Sequence, residues 1–216
     1  MVGAAVTFGL ESANVVGYQN FSTVSGFNFV APTFRNIDAK QVDIQEITLS
    51  GEGVSDLGDT IQVLDAGGAS IEVYFWMSGM GWINESMEVV SKPIVSGQSV
   101  LIDTINSGLN ITVAGQVENE DILTTSVSGF NFVGNSTPAD LDIQKITLEG
   151  DKISDLGDTI QILDAGGAAV EVYFWMSGMG WINESMEVVT RNIPAGTGVL
   201  IDTVNAGVTI KVPSAL

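Results

Sequence analysis

The sequence predicts an all-β protein made of two tandem homologous domains, each a β-sandwich or β-barrel-like unit. Short runs of β-branched and aromatic residues alternate with turns rich in glycine, serine and asparagine. No stretch keeps the apolar period of roughly 3.6 residues that an amphipathic helix requires. The nineteen residues from Glu72 to Val90 recur unchanged as Glu171 to Val189, which indicates an internal duplication.

We divide the chain into four parts: residues 1–13, a first β repeat over 14–117, a linker over 118–125, and a second β repeat over 126–216. Between residues 43–113 and 142–212, 51 of 71 positions are identical. The first ten residues are small and apolar and polar residues follow them, so the segment 1–13 is interpreted as a remnant of a secretory signal, as an N-terminal arm that pairs with another subunit, or as an ordinary first strand.

Each predicted strand lies between turn signals. Pro32 marks a loop, the pair Gly67–Gly68 predicts a hairpin, and Asn106 to Gly108 predicts another turn. The predicted strands of the first repeat are 14–21, 26–30, 43–49, 59–64, 69–77, 82–84, 87–90, 99–104 and 109–113.

The run 69–77, which overlaps the duplicated stretch, has aromatic residues on both of its faces. The face that we expect in the core holds Ile71, Val73, Phe75 and Met77. The opposite face holds Glu72, Tyr74 and Trp76. A candidate aromatic site comprises Tyr74, Trp76, Trp82, Tyr173, Trp175 and Trp181. These rings suit sugar stacking if they are exposed and anchor a neighbouring domain or subunit if a partner covers them; otherwise they are core.

Charge and composition exclude several functions. The net charge is −19, from 26 acids and 7 bases, so the surface repels phosphate backbones and we expect no nucleic-acid partner. The chain has no cysteine and no histidine, which excludes thiol and imidazole chemistry, and we predict no catalytic residues and no enzyme. No apolar run reaches the roughly 18 residues of a membrane-spanning helix.

Aspartates beside glycine-rich turns are a candidate calcium site, since Ca²⁺ binds hard oxygen ligands on bent backbone. They are Asp56, Asp59, Asp65, Asp155, Asp158 and Asp164. Their spacing does not match an EF-hand loop, and aspartate also tightens turns without a metal. No other cofactor is predicted.

Several short motifs carry a resemblance. They are Asn14-Val-Val-Gly-Tyr, Gly26-Phe-Asn-Phe-Val, Gly58-Asp-Thr-Ile-Gln-Val-Leu-Asp65, Gly81-Trp82, Gly97-Gln-Ser-Val-Leu-Ile102 and Ile111-Thr-Val-Ala-Gly-Gln-Val117. In this order they resemble a loosely defined group of secreted, duplicated β-proteins from Verrucomicrobia, Lentisphaerae and Planctomycetes. The resemblance implies secretion and a β fold, and it implies no particular activity.

Together these features predict a non-enzymatic extracellular structural subunit that self-assembles head to tail into a filament or surface layer. Its partners are then copies of itself, and its assembly should respond to salt or divalent cations. The alternative is a carbohydrate-binding module, with the tyrosines and tryptophans as platforms and glycans as partners.

Overall fold

The computed structural model describes residues 16–36, 39–64, 71–117, 120–164 and 169–214; residues 1–13 lie outside these ranges. Within them the chain is all-β, as predicted, with two short 3₁₀ turns at Ile44–Glu46 and Ile143–Lys145 and no α-helix. The described ranges therefore contain no helix with the length and apolarity needed to cross a membrane.

The described residues of the first copy form eleven strands. They are β1 (Val16–Ser22), β2 (Gly26–Val30), β3 (Phe34–Arg35), β4 (Gln41–Asp43), β5 (Ile47–Ser50), β6 (Thr60–Leu64), β7 (Ile71–Met77), β8 (Gly81–Ile83), β9 (Pro93–Val95), β10 (Val100–Thr104) and β11 (Asn110–Val117). The second copy repeats all of them except β3. Its strands are β12 (Ile122–Thr125), β13 (Gly129–Gly134), β14 (Leu141–Asp142), β15 (Thr147–Glu149), β16 (Thr159–Leu163), β17 (Ala169–Met176), β18 (Gly180–Ile182), β19 (Asn192–Ile193), β20 (Gly198–Thr203) and β21 (Thr209–Val212).

All named strand pairs are antiparallel, and each sheet draws its strands from one copy. The first copy forms the sheet β2-β10-β6-β7-β8, a second sheet in which β11 lies between β1 on one side and β3 and β5 on the other, and the pair β4-β9. The second copy forms β13-β20-β16-β17-β18, β12-β21-β15 and β14-β19. The four larger sheets are arranged like the blades of a small propeller. Strand β12 occupies residues 122–125, which the sequence predicts as linker, and pairs with β21.

Each copy has its own buried apolar cluster, in which a tryptophan is held by a hydrogen bond. The indole N–H of Trp82 donates to the carbonyl of Ile47 at 2.7 Å, and Trp181 donates to Ile146 at the same distance. An unbonded N–H at these fully buried positions would cost roughly 1–3 kcal/mol. The bond therefore fixes both the ring and the adjacent strand.

Strand β7 turns the face opposite to the predicted one toward the core. Trp76 is 9% exposed and Tyr74 packs against the buried cluster, whereas Val73 is 40% exposed. Trp76 lies opposite Trp82 in the β7–β8 register, with ring centroids 5.1 Å apart in an edge-on arrangement. The core face is therefore the one that allows the two largest side chains to pack together.

The outer edge of β8 is covered by the side chain of Gln45. Its amide nitrogen donates to the carbonyls of Trp82 (2.6 Å) and Val90 (2.7 Å), and its amide oxygen accepts from Trp82 N–H at 3.2 Å. Gln144 makes the same bonds in the second copy. A side chain thus occupies backbone groups that an incoming strand would otherwise use.

The two copies meet in a contact that recurs with the copies exchanged. Val30 forms an antiparallel bridge with Thr197, and Gln98 forms one with Val133. Val30 corresponds to Val133, and Gln98 corresponds to Thr197. The same pair of positions is therefore used twice, which gives the contact pseudo-twofold symmetry.

Other groups obey the same symmetry. Phe29 and Phe132 are corresponding residues, and their ring centroids are 6.0 Å apart. The turn at Gly97 packs against Ile122 of the second copy, and the corresponding turn at Gly196 packs against Phe21 of the first. A contact of this isologous kind closes on itself and does not propagate into a polymer.

We predict that Gly97→Ala weakens this contact. Gly97 has φ of +83°, and a β-carbon there would lie 2.5 Å from the side chain of Ile122. Gly108→Ala is the matched control, since Gly108 has φ of +78° but open space around it. Urea unfolding should show a loss of about 1–2 kcal/mol for the control, from the left-handed backbone alone, and a larger loss for Gly97→Ala. Equal losses would mean that the turn moves away from Ile122 without cost.

Candidate functional site: a surface shared by both copies

Four of the six candidate calcium ligands hold turns through backbone hydrogen bonds. Buried Asp59 accepts from Ser55 N–H at 2.7 Å and from Ile105 N–H at 2.9 Å, one bond to each oxygen. Asp158 makes the corresponding bonds in the second copy. Asp56 and Asp155 are exposed, and each accepts from the N–H of a serine that follows β7 or β17. Among the described residues, no group of three or more acids is placed to hold a metal ion.

The other two candidates differ in how they are placed. Asp65 lies outside the described residues, and Asp164 is exposed at the rim of a cleft between the copies. The structure therefore does not bring the five described aspartates together at one site. Calcium binding stays a prediction. The two buried aspartates, Asp59 and Asp158, already use their carboxylates to hold turns.

We predict that Asp59→Asn lowers the free energy of unfolding by about 2–3 kcal/mol, because an amide N–H₂ would face a backbone N–H in a buried site. Asp56→Asn, at an exposed carboxylate, should cost less than about 1 kcal/mol. Both values can be measured by urea unfolding. A rise in melting temperature on adding calcium that Asp56→Asn abolishes would contradict a purely structural role for that acid.

The four indole rings of the aromatic site lie inside the protein. Trp82 and Trp181 are fully buried, and Trp76 and Trp175 are nearly so. Trp76 packs edge-on against Trp82, and Trp175 packs in the same way against Trp181, each pair in the core of its own copy. These buried rings are not open for stacking on a sugar. Of the three alternatives for these rings, burial favours the core for the four tryptophans.

The two tyrosines of the aromatic site are half-buried and bonded to glutamates. Tyr74 donates to Glu72 at 2.7 Å, and Glu72 pairs with Lys92 at 2.7 Å. Burial, together with the bond to Glu72, raises the pKa of Tyr74 to about 12. The phenol therefore stays protonated at neutral pH and acts as a donor, which ties β7 to the segment that precedes β9.

The second copy strengthens this cluster. Arg191 replaces Lys92 and binds Glu171 with two nitrogens, at 2.8 and 2.9 Å. These bonds, followed by the one from Tyr173, hold the pKa of Glu171 below its usual range. A forked guanidinium fits a carboxylate better than an ammonium does, so the substitution keeps the role of the pair.

A different surface, which the sequence alone does not single out, is the same in both copies. We call it the shared surface. In the first copy it consists of the exposed residues Asp56, Leu57, Val73, Ser78, Gly79, Met80, Glu85, Ser86, Met87, Glu88 and Val89. Its parts are joined because Leu57 N–H donates to the carbonyl of Trp76 at 2.8 Å, and Asp56 accepts from Ser78 N–H.

All eleven positions carry the same residue in the second copy, and all eleven are exposed there too. The rest of the exposed surface has diverged. Within the aligned segment, fourteen other described positions are exposed in the first copy, and ten of them differ from their counterparts. The ten are Glu46, Ser50, Glu52, Gly53, Ser91, Pro93, Val95, Ile105, Ser107 and Asn110. Recent duplication alone does not explain this contrast, because it applies equally to every position.

Four large apolar side chains stand out on the shared surface. Leu57, Met80, Met87 and Val89, together with their counterparts, are 42–55% exposed. Leu57 has φ of +62° and Met87 has φ of +63°, and their counterparts are within one degree. Left-handed backbone costs such residues about 1–2 kcal/mol, whereas glycine or asparagine adopts it readily. Exposure and strain both work against stability here, so another constraint is needed to explain these side chains.

We predict that Met87→Asn combined with Met186→Asn raises stability. Asparagine tolerates the left-handed conformation, so the free energy of unfolding should increase by about 1 kcal/mol at each site. Calorimetry should then show a melting temperature several degrees higher. Met80→Asn with Met179→Asn is the matched control, since these methionines are similarly exposed but do not have positive φ. If the control variant is stabilised as well, the exposure of the apolar side chains, and not the backbone strain, is the cause of the increase in stability.

Comparison of the chain with known protein families, with curated proteins and with solved structures finds no match.

Proposed function

We propose that the protein is a non-enzymatic structural subunit that self-assembles outside the cell into a filament or surface layer, with each copy forming one tandem domain and carrying one site of contact. The observation that supports this is the shared surface. It is exposed, rich in apolar side chains and identical in the two copies, while the exposed surface around it differs. An external location follows from the resemblance to secreted proteins.

The contact between the copies determines which surface can link subunits. Since that contact is isologous, it is complete within one chain and offers nothing to a further subunit. The shared surfaces are two in number and equivalent. A subunit with two equivalent contact surfaces grows into a chain, and a link from the first copy to the second copy of the next subunit gives the head-to-tail order.

Charge opposes this link at low ionic strength. Each shared surface carries three exposed carboxylates, those of Asp56, Glu85 and Glu88 in the first copy, and no base lies between residues 54 and 91. Two such surfaces repel each other, and the net charge of −19 adds to the repulsion. Added salt screens the repulsion and leaves apolar burial intact, so assembly should increase with salt concentration.

Variants of one or both copies test the proposal. Met87→Glu keeps a non-glycine residue at the left-handed position and adds a charge to the first surface, and Met186→Glu does the same to the second. In sedimentation and electron microscopy, we expect polymers from the wild type and monomers from the double variant. Either single variant should raise the concentration needed for assembly by a smaller factor, because each head-to-tail link then joins one altered surface to one intact surface.

The control combines Tyr18→Gln with Leu123→Gln, which removes exposed apolar side chains from β1 and β12. These strands belong to sheets that contain neither β8 nor β18, so this variant should polymerise as the wild type does. Wild-type protein that stays monomeric at every salt concentration would contradict the proposal. Polymers of the double variant would instead assign the link to another surface.

A further inference from the structure

The methionines of this chain are concentrated in one place. The sequence contains seven, and the six that follow Met1 all lie between residues 77 and 87 or between 176 and 186. Four of these six belong to the shared surface and are 42–48% exposed; they are Met80, Met87, Met179 and Met186. The other two, Met77 and Met176, are half-buried on β7 and β17. With no cysteine present, methionine carries all the sulfur of the described residues, and these four methionines are the most exposed.

In each copy the two exposed methionines lie on turns at opposite ends of one short strand. Met80 N–H donates to the carbonyl of Met77 in the turn before β8, and Met87 N–H donates to Asn84 in the turn after it. Three residues of strand span about 10 Å, so both side chains are within the footprint of a single contact. The left-handed backbone at Met87 holds that side chain outward at the tip of its turn.

We propose that these four methionines are a modification site, whose oxidation by a peroxide prevents the shared surfaces from joining. This inference rests on the proposed function and adds a chemical control to it. The sulfur atom of the thioether attacks one oxygen of hydrogen peroxide, the O–O bond breaks, and an S–O bond forms. The sulfur is oxidised by two electrons to the sulfoxide, and the second peroxide oxygen takes the proton of the transferred oxygen and leaves as water.

The product changes the contact because a sulfoxide is polar and accepts hydrogen bonds, whereas a thioether is apolar. Two surfaces that meet through sulfoxides would have to strip water from these acceptors without supplying donors. On the free subunit the same groups stay hydrated, so oxidation opposes assembly and leaves the fold unaffected. Methionine sulfoxide reductases reverse the reaction, which makes the site switchable.

Leucine provides a matched substitution. It keeps the apolar volume and has no oxidisable sulfur, and Leu57 shows that leucine already occupies left-handed backbone on this surface. The test variant therefore carries leucine at positions 80, 87, 179 and 186 of the full chain. It should assemble as the untreated wild type does.

The experiment treats wild type and leucine variant with hydrogen peroxide, removes the peroxide, and measures the critical concentration for assembly by light scattering. Mass spectrometry of peptides identifies the oxidised residues. For the wild type we expect sulfoxide first at the four exposed methionines and a critical concentration at least tenfold higher. The variant should change by less than twofold, and methionine sulfoxide reductase should restore assembly of the wild type.

Unchanged assembly of a wild type that carries all four sulfoxides would overturn the inference while the proposed function stands. Equal loss in the leucine variant would also overturn it, because Met77, Met176 or the tryptophans would then be responsible. If untreated wild type does not assemble at any salt concentration, the proposed function and this inference fall together. Far-ultraviolet circular dichroism of the oxidised protein must match that of the untreated protein, and a loss of the β signal would assign the effect to unfolding.

Discussion

The contact between the two copies relies on the close approach of two glycine turns, each to a strand of the opposite copy. Gly97 and Gly196 leave no room for a β-carbon, so each turn can press against a strand of the other copy. The bridges at Val30 and Val133 and the pair Phe29–Phe132 follow from that approach. Because the contact is pseudo-twofold, it joins the copies once and leaves the shared surfaces free on both.

The all-β fold and most strand positions could be predicted from turn signals and alternation, but the core face of β7 could not. Alternation identifies two faces of a strand and ranks them by polarity, and here the face with Glu72 ranks as the more polar although its Tyr74 and Trp76 pack in the core. The deciding interaction is between strands: the short turn before β8 places Trp82 opposite Trp76. The copy–copy contact left no sequence signal, since its turns and strands are distant along the chain and glycine is common throughout.

The aromatic and acidic candidates show why residue type alone misplaces a site. Tryptophan is equally suited to a sugar platform and to a core, and burial assigns these four to the core. Aspartate beside glycine is equally suited to calcium and to a turn, and Asp59 and Asp158 use both oxygens on backbone N–H groups. The sequence does not identify the shared surface, because identity between the copies becomes informative only when each position is known to be exposed or buried.

Identity, exposure and backbone strain are three independent properties, and they coincide in the shared surface. Packing in a core would explain why a position is identical in the two copies, but core positions are not exposed. A surface that contacts only solvent would explain exposure, but such positions are free to differ between the copies. Neither accounts for a methionine and a leucine held at positive φ in both copies, where asparagine would be more stable and more soluble. A contact surface accounts for all three, because it needs apolar side chains outside the core and loses affinity when either copy changes. The nineteen residues repeated from Glu72 to Val90 thus combine a core strand with exposed residues of the shared surface. Packing in the core does not explain why these exposed residues are identical in the two copies.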